Sequence, residues 1–567
     1  MTLWSQASDV ATSNDVLSLL HVLPVSRPKS VVPAILDALC SRTQANHMSP
    51  SRQSSLTSYL SAADVVAFFT AYLETVEDDA TDEIWPDCTA FMHDVLSNPL
   101  PFRSILPALL WVTLILAEKL DNTNFGDQRK MRRELGDQFS RLLSATFAAS
   151  PISSHFDANG HAAADSSETD LATGRRNMDV VVILKHVVAK IESILDSVDR
   201  ITTIVNTIST SVISPAFHSR SFPSTVTPDL LGLLARMTRK APTAKSWRRE
   251  VLDAFNNPRI LDSAATLTEK FWFPILQQWS QGDKERMHDL LARLAPPSSA
   301  GIMFGVGAAA ARLKADGETQ FIIRRLCLLL LASPTDSYAA HMQMIGEKLV
   351  ELFQASMSSS PSSIIKAELF MLCRALMLST SPVNVAPLWP IINDQLQAAL
   401  ATIAPQDARQ IGFTNLSLLQ AGKLLDLLVS LSPDEFQLYE WLYVTDTTDA
   451  VYHPAGCTPT ALADQLAEHL GLEAGEDASP VPTPTAPGSP ACQARKLFGS
   501  NLPYDKEDIK AMAPDDFAKT IMRPFLSQLS INAYESTYGL EGPDSALYRR
   551  SLLEDILDSN TLVDHER

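Results

Sequence analysis

Glycine is scarce in this sequence, and no two cysteines lie close together. Only 20 of the 567 residues are glycine, whereas leucine, alanine and serine are abundant, which favours helices over turn-rich β folds. The six cysteines, at positions 40, 88, 327, 373, 457 and 492, include no pair at zinc-finger or redox spacing. The sequence therefore predicts reduced, buried thiols in a cytosolic protein.

Long apolar runs are also missing. The best candidate for a membrane span, Ile105–Ala117, has thirteen residues and contains Pro107 and Thr113, whereas a span needs about 20 apolar residues. Residues Met1–Val10 are polar and mixed, unlike a signal peptide. We therefore expect a soluble protein whose contact with any membrane is peripheral.

Recognisable catalytic motifs are absent too. The sequence has no phosphate-binding loop, no His-Glu-x-x-His and no nucleophile elbow, and its twelve histidines are scattered. The segment Gly305–Ala310 matches a dinucleotide fingerprint formally, but no strand precedes it and Asp316 follows too early for a ribose contact. Close helix packing explains these small residues better. We predict no catalytic, cofactor-binding or metal residue and no cofactor, and keep an unfamiliar enzyme site near 301–320 as an alternative.

Negative charge dominates the composition. The chain has 46 basic and 65 acidic residues, a formal charge of −19. Such a chain is a poor general nucleic-acid binder, because phosphate neutralisation needs clustered basic residues. It also repels anionic membranes unless its basic residues are segregated.

One such segregated patch is present. Residues 236–249 contain six basic residues and no acid, namely Arg236, Arg239, Lys240, Lys245, Arg248 and Arg249. The patch is either a solvated helix end or a contact for anionic lipid headgroups or an acidic partner, worth about 1 kcal/mol per basic residue near a charged surface. Trp247 shares a helical register with Val251 and Phe255, so we predict that it belongs to the core.

Helical periodicity dominates the pattern of apolar residues. Three predicted helix pairs, 321–331 with 342–353, 364–378 with 388–403, and 416–431 with 436–444, start 43 and then 52 residues apart, close to the period of HEAT repeats. The sequence predicts an all-α fold built as an α-solenoid of HEAT/armadillo-like pairs. Ser432, Pro433 and Glu435 predict a capping box, and Asn415, in a glycosylation sequon, is predicted to lie at a helix cap.

Composition divides the chain into five predicted segments. These are an N-terminal helical segment (1–149), a flexible linker (150–177), the α-solenoid (178–470), a Pro-rich disordered linker (471–500) and a C-terminal helical tail (501–567).

A heptad-like seam lies at the start of the predicted solenoid. It consists of Leu184, Val187, Ile191, Ile194, Val198, Ile201, Val205 and Ile208. The spacing predicts one helix of roughly 45 Å within residues 178–213, which Ser209 to Pro215 would end. The seam either packs against neighbours in the same chain or forms a coiled coil in a homodimer.

Several long runs carry a family resemblance. They are LWPIINDQL (388–396), LLQAGKLLDLLVSLSPDEFQLYEWLYVTDTTDAVYHP (418–454), AKSWRREVLDAF (244–255), LQQWSQGDKERMHDLLARL (276–294) and ISPAFHSRSFP (213–223). This sequence resembles the carboxy-terminal region of the fungal Dopey proteins, most clearly over 198–470.

The resemblance implies a non-enzymatic scaffold on the cytosolic face of Golgi, trans-Golgi network and endosome membranes. It implies a role in vesicle traffic, in endoplasmic reticulum and Golgi organisation and in cell morphogenesis. It also implies a complex with a large scaffold related to Arf exchange factors and with a P-type ATPase lipid flippase. A soluble cargo-adaptor solenoid of the nuclear-transport kind is the alternative.

Overall fold

The structure is a computed structural model of the 567-residue chain. It describes residues 1–6, 10–23, 27–43, 60–123, 128–149, 179–281, 285–294, 308–358, 364–403, 412–445, 461–473, 497–500, 502–538 and 544–563. Across these ranges the chain forms helices joined by turns and no strand, which confirms the all-α prediction. Its contacts divide it into two compact units, Met1–Ile260 and Leu261–Arg567.

Unit 1 contains thirteen α-helices within its described residues. They are α1 (Thr2–Ser5), α2 (Val10–Val22), α3 (Pro28–Thr43), α4 (Ala62–Thr75), α5 (Thr81–Ser97), α6 (Leu106–Asp121), α7 (Gln128–Ala149), α8 (Val180–Ala189), α9 (Ile191–Ile194), α10 (Val198–Ile208), α11 (Ser214–Phe217), α12 (Pro228–Lys240) and α13 (Lys245–Asn256).

Helix α6 is the centre of unit 1. It is apolar around most of its circumference and packs against α4, α7, α8 and α9. The sequence from Ile105 to Ala117 is therefore core, and no helix in the described residues is long and apolar enough to cross a membrane.

The predicted single helix over 178–213 is wrong. Leu195 and Ser197 have extended backbone angles and separate α9 from α10. Seven of the eight seam residues are buried inside unit 1, whereas Val198, at the start of α10, is 71% exposed. The apolar period continues across the break because each short helix turns its own apolar side to the same core.

Unit 2 contains fifteen α-helices within its described residues. They are α14 (Ala265–Leu267), α15 (Phe273–Gln281), α16 (Arg286–Arg293), α17 (Ala308–Ala332), α18 (Met342–Ser358), α19 (Ile365–Ser379), α20 (Pro382–Val385), α21 (Trp389–Ala401), α22 (Asn415–Leu431), α23 (Asp434–Glu440), α24 (Leu462–Glu473), α25 (Lys506–Ala511), α26 (Pro514–Phe517), α27 (Arg523–Tyr538) and α28 (Ser545–Leu557).

A row of three helices organises unit 2. Helix α19 packs against both α17 and α22, while α18 and α21 pack against one another and against α19 and α22 respectively. The C-terminal helices α25 and α27 contact α22, and α28 contacts α17 and α19. The predicted helix pairs are present as helices, and their assembly into a HEAT-like solenoid stays a prediction.

The caps around α22 differ from those predicted. The capping box joins Thr414 and Ser417 at its start, with Asn415 as the first helical residue. Ser432 ends α22 in the left-handed region (φ 40°) and donates its N–H to Leu428, so it does not start the next helix. Pro433 is the N-cap of α23 instead, and the predicted Ser432 capping box is wrong.

Three π-helical turns share a local cause. They span Ser209–Ile213, Thr268–Trp272 and Ala518–Met522, and each is followed at its second residue by Pro215, Pro274 or Pro524. A proline ring inside a helix collides with the carbonyl four residues earlier and cannot donate a hydrogen bond. In each case that carbonyl lies within the widened turn, which lets the helix continue through the proline.

Candidate interaction sites

The four cysteines that the structure describes show no sign of chemical activation. The four described thiols are free, and Cys88, Cys327 and Cys373 are buried as helix-core residues. Burial raises the pKa of the Cys88 and Cys373 thiols to about 12, which disfavours the reactive thiolate. Within the described ranges no group of three or more His, Cys, Asp or Glu residues is placed to hold a metal ion. Of the dinucleotide-like segment Gly305–Ala310, residues 305–307 lie outside those ranges and residues 308–310 begin α17.

The densest group of buried charges centres on Asp555 of α28. Its carboxylate accepts hydrogen bonds from Arg374 (2.6 Å), Lys423 (2.8 and 2.9 Å) and Lys506 (2.9 Å). Burial alone would raise the pKa of Asp555, but the three cations outweigh it and hold that pKa well below its usual range. One acidic residue of the C-terminal helix thus ties together α19, α22 and α25.

A second part of this network binds the backbone at the end of α28 and just after it. Arg324 of α17 donates to the carbonyl oxygens of Ile556 (3.0 Å) and Asp558 (2.7 Å) and pairs with Glu368 (3.0 Å). Gln320, one turn earlier, accepts the N–H of Val563 at 3.0 Å. Burial raises the pKa of Glu368, against the opposing effect of Arg324.

Polar groups along α22 hold the remaining C-terminal segment. Asn415 donates to the carbonyls of Ile509 and Met512, Asp426 accepts the N–H of Phe498, and Ser430 accepts the hydroxyl of Tyr548. Side chains of the α17–α19–α22 row therefore contact residues 497–563 along almost all of their described length. The amide of Asn415 is committed to these buried contacts.

The cavity beside this network is small. Its volume is about 60 Å³, and Gln320, Arg324, Glu368, Lys506 and Asp555 are among its lining residues. Pockets that bind cofactors or drug-sized ligands usually have several hundred Å³. Among the described residues, the charges of this network therefore join the C-terminal segment to the row of helices, and the cavity that they line is too small for such a ligand.

A larger groove lies in unit 1. It has a volume of about 590 Å³ between the end of α4, the Asp78–Ala80 turn, α6 and α8, with Arg236 of α12 at its edge. Trp111, Leu114 and Ile115 of α6 lie along it at positions i, i+3 and i+4. The Trp111 indole donates to Glu74 (3.3 Å) and meets the edge of the His186 ring, with centroids 5.2 Å apart.

Most charges in this groove are paired inside it. Lys119 binds Asp78 (3.1 Å), and Lys190 binds Glu118 (2.6 Å). Arg236 donates through Nη1 to the carbonyl of Lys185 and has no ion pair among the described residues. Burial, Arg236 and Lys185 together lower the pKa of His186, so its ring is neutral at pH 7.

The structure divides the predicted basic patch. Arg239, Lys245 and Arg249 are exposed, whereas Arg236, Lys240 and Arg248 are half-buried. Lys240 pairs with Glu192 (2.8 Å), and Arg248 donates to the carbonyl of Pro242 (2.9 Å). The patch as a binding surface stays a prediction. Trp247 is fully buried and donates to the carbonyl of Ala241, which confirms its predicted core position.

Sequence reasoning missed the groove and a second basic run. Arg129, Lys130 and Arg133 are exposed on α7, and the intervening Arg132 pairs with Asp121. The run could be found by counting charges, but the groove joins residues from 74 to 236 that share no local pattern. The buried network had a signal in Lys423 and Asp426, two charges within an otherwise largely apolar helix.

Comparison with known proteins decides the family. The family model described as DOP1 C-terminal matches residues 68–539, most of the chain. The chain belongs to the Dopey (DOP1) family. This confirms the resemblance carried by the sequence runs, and the Dopey match includes both the groove and the greater part of the α17–α19–α22 row.

Individual Dopey relatives cover different shares of the chain. Protein dop1 of Emericella nidulans is 41% identical over 559 residues, 98% of this chain and 30% of the relative. Protein DOP1 of Saccharomyces cerevisiae is 24% identical over 578 residues, which cover 97% of this chain and 31% of the relative. Protein DOP1B of Xenopus laevis is 25% identical over 287 residues, which cover 44% of this chain and 12% of the relative. The chain thus spans about 30% of the fungal Dopey proteins. No solved structure matches it.

Proposed function

We propose that this chain is the protein-docking part of a non-enzymatic Dopey scaffold in Golgi and endosome traffic. It would act peripherally on the membrane, in protein transport, organelle organisation and cell morphogenesis. Its partners would be a large scaffold related to Arf exchange factors and a P-type ATPase flippase. Membership of the Dopey family is the observation that carries this proposal.

Two further observations support a docking role. The names of the matched relatives, Protein dop1 and Protein DOP1, state no enzymatic activity. In the described residues, three groups of unit 2 with perturbed pKa values, Glu368, Lys506 and Asp555, line a cavity of only about 60 Å³. Stacked helices, if they form the predicted solenoid, would present a long surface to other proteins.

Affinity purification tests the proposed function. The purified chain would be immobilised and incubated with detergent-solubilised membranes, next to beads carrying an unrelated helical protein of similar charge. We expect both the large scaffold and the flippase to be enriched on the Dopey beads. Enrichment of neither would overturn the proposal, and enrichment of nuclear-transport receptors with basic cargo peptides would favour the adaptor alternative.

We also propose that the exposed end of the basic patch contributes the peripheral membrane contact. Reversing Arg239, Lys245 and Arg249 to Glu removes three favourable interactions of about 1 kcal/mol each with an anionic surface. We expect binding to phosphatidylserine vesicles in a sedimentation assay to weaken by about 100-fold, with no binding to phosphatidylcholine vesicles in either form.

The exposed basic run on α7 provides a matched control for this test. Reversing Arg129, Lys130 and Arg133 to Glu changes the net charge of the protein by the same amount on another surface. We expect this variant to retain most of the vesicle binding. Loss confined to the control variant would reject the patch at 239–249 and assign the membrane contact to α7.

A further inference from the structure

We propose that the groove lined by α4, α6 and α8 binds a short acidic segment of a partner protein, with an apolar anchor residue seated against Trp111. This inference rests on the proposed scaffold function and names the class of partner segment that one surface of unit 1 would recognise. It is argued below from the floor of the groove, its charges and its shape.

The floor of the groove supplies a fixed aromatic surface. Trp111 is half-buried, its N–H is held by Glu74, and its ring packs against His186. Leu114 and Ile115 continue the floor beneath it. Rigid, partly desolvated tryptophans are the residues that most often carry binding energy in protein interfaces. An aromatic or long aliphatic side chain of a partner is the natural complement to this floor.

The charges of the groove select the sign of the partner. The Lys119–Asp78 and Lys190–Glu118 pairs are each neutral, and the Glu74 carboxylate accepts the N–H of Trp111. The guanidinium of Arg236 remains at the edge beside His186, with Arg239 exposed on the same helix. A planar guanidinium presents several donors in a fork that matches a carboxylate. A partner carboxylate placed there gains a charge-assisted contact, whereas a basic side chain at the same position would be repelled by Arg236.

The shape of the groove favours a peptide over a bilayer. A concave site of about 590 Å³ admits a few side chains, but a flat membrane surface cannot follow it. Its lining also carries Glu74 and Asp78, which repel anionic headgroups. A single peptide segment can place one carboxylate next to Arg236 and its apolar anchor against Trp111 without a second acidic group beside Glu74 or Asp78.

Selection from a phage-displayed library of random peptides tests the inference with the full chain as target. We expect enriched peptides to combine Asp or Glu with an aromatic or aliphatic anchor. The dissociation constant of a synthetic enriched peptide would be measured for the wild type and for Trp111→Ala, His186→Glu and Arg236→Gln. We expect binding to weaken by about tenfold or more in each variant.

Arg249→Gln is the matched control, because it removes an exposed arginine of the basic patch outside the groove. We expect it to bind the peptide like the wild type. His186→Glu alters an exposed side chain, and thermal melts followed by circular dichroism confirm that each compared variant is folded. If Trp111→Ala fails to fold, the two charge variants still decide the outcome.

Several results would overturn the inference. They are the absence of enrichment, enrichment of basic peptides, and peptide binding that is unchanged in folded groove variants. Loss of phosphatidylserine vesicle binding in the groove variants, with peptide binding intact, would assign the groove to the membrane. If no acidic peptide binds but the large scaffold and the flippase are purified with the chain, only the inference about the groove is rejected. If the peptide binds but neither partner is purified, the proposed function is rejected instead.

Discussion

The charges of the unit 2 network are buried, whereas an ion pair at the groove of unit 1 is exposed. In unit 2 the side chains of Arg324, Arg374 and Asp555 are at most 3% exposed, and each is bound by several groups of the same unit. In unit 1 the Lys190–Glu118 pair at the groove has side chains that are 59% and 36% exposed. A buried charge must keep a fixed partner, whereas an exposed one can exchange its partner for a ligand at little cost.

Removing Asp555 should produce the largest change. Asp555→Ala leaves Arg374, Lys423 and Lys506 without their shared carboxylate, and breaking a buried ion pair costs about 3–5 kcal/mol. We expect hydrogen exchange of α17, α19 and α22 to accelerate correspondingly in mass spectrometry. Glu554→Ala is the control, since Glu554 is exposed and, among the described residues, pairs with Arg550 one turn away. Equal rates of hydrogen exchange in both variants would show that the network does not stabilise α17, α19 and α22.

Acid should weaken the same contact. The folded-state pKa of Asp555 lies well below its usual value, so its stabilising contribution is present above the unfolded pKa of about 3.9. That contribution is lost as the pH falls from there through the folded pKa. We expect the free energy of unfolding of the wild type to fall more steeply below about pH 4 than that of Asp555→Asn, by up to about 1.4 kcal/mol per pH unit. If the free energies of unfolding of the two proteins fall in parallel below pH 4, the ionised Asp555 does not stabilise the fold as described.

A glycine beside the network should give an intermediate effect. Gly499 has φ 79°, and a Cβ atom there would collide with Cε of Lys423. We expect Gly499→Ala to lower the free energy of unfolding by about 1–3 kcal/mol, through backbone strain and displacement of Lys423. Gly471→Ala on α24 meets only the end of the flexible Arg523 side chain. It should leave stability unchanged or raise it by up to about 1 kcal/mol in urea denaturation.

The exposed pair at the groove should give the smallest effect. Lys190→Ala removes the Glu118 contact, and exposed ion pairs contribute about 0–1 kcal/mol. Lys119→Ala in the same groove should cost more, because its ammonium is buried and also donates to the carbonyl of Val76. Comparing their urea midpoints checks the order. A larger loss of stability for Lys190→Ala than for Lys119→Ala would contradict the difference between exposed and buried ion pairs.

The helices and much of the core follow from local sequence. Apolar residues around the whole of α22 predict burial, and fifteen of its residues are buried. Trp247, Cys327 and Cys373 lie in the core as their helical registers predict. These features succeed because helix periodicity and burial are set by residues a few positions apart.

The sites depend on partners that are distant in sequence. Arg324 contacts a carbonyl 232 residues further along the chain, and no periodic pattern relates two such positions. The break between α9 and α10 was hidden because the apolar repeat runs through it. Ser432 satisfies the chemistry of an N-cap, yet its backbone ends α22, and only the path of the following chain decides between the two roles.

The hydrogen bonds between α17 and residues 556–563 have a consequence for folding during synthesis. Helices α17, α19 and α22 leave the ribosome long before the segment that neutralises their polar face. During that interval, Arg374 and Lys423 lack the Asp555 carboxylate that they share in the folded protein, which makes the row less stable without α28. We therefore expect unit 2 to complete its folding late, in a step that brings together residues about 240 positions apart in the sequence.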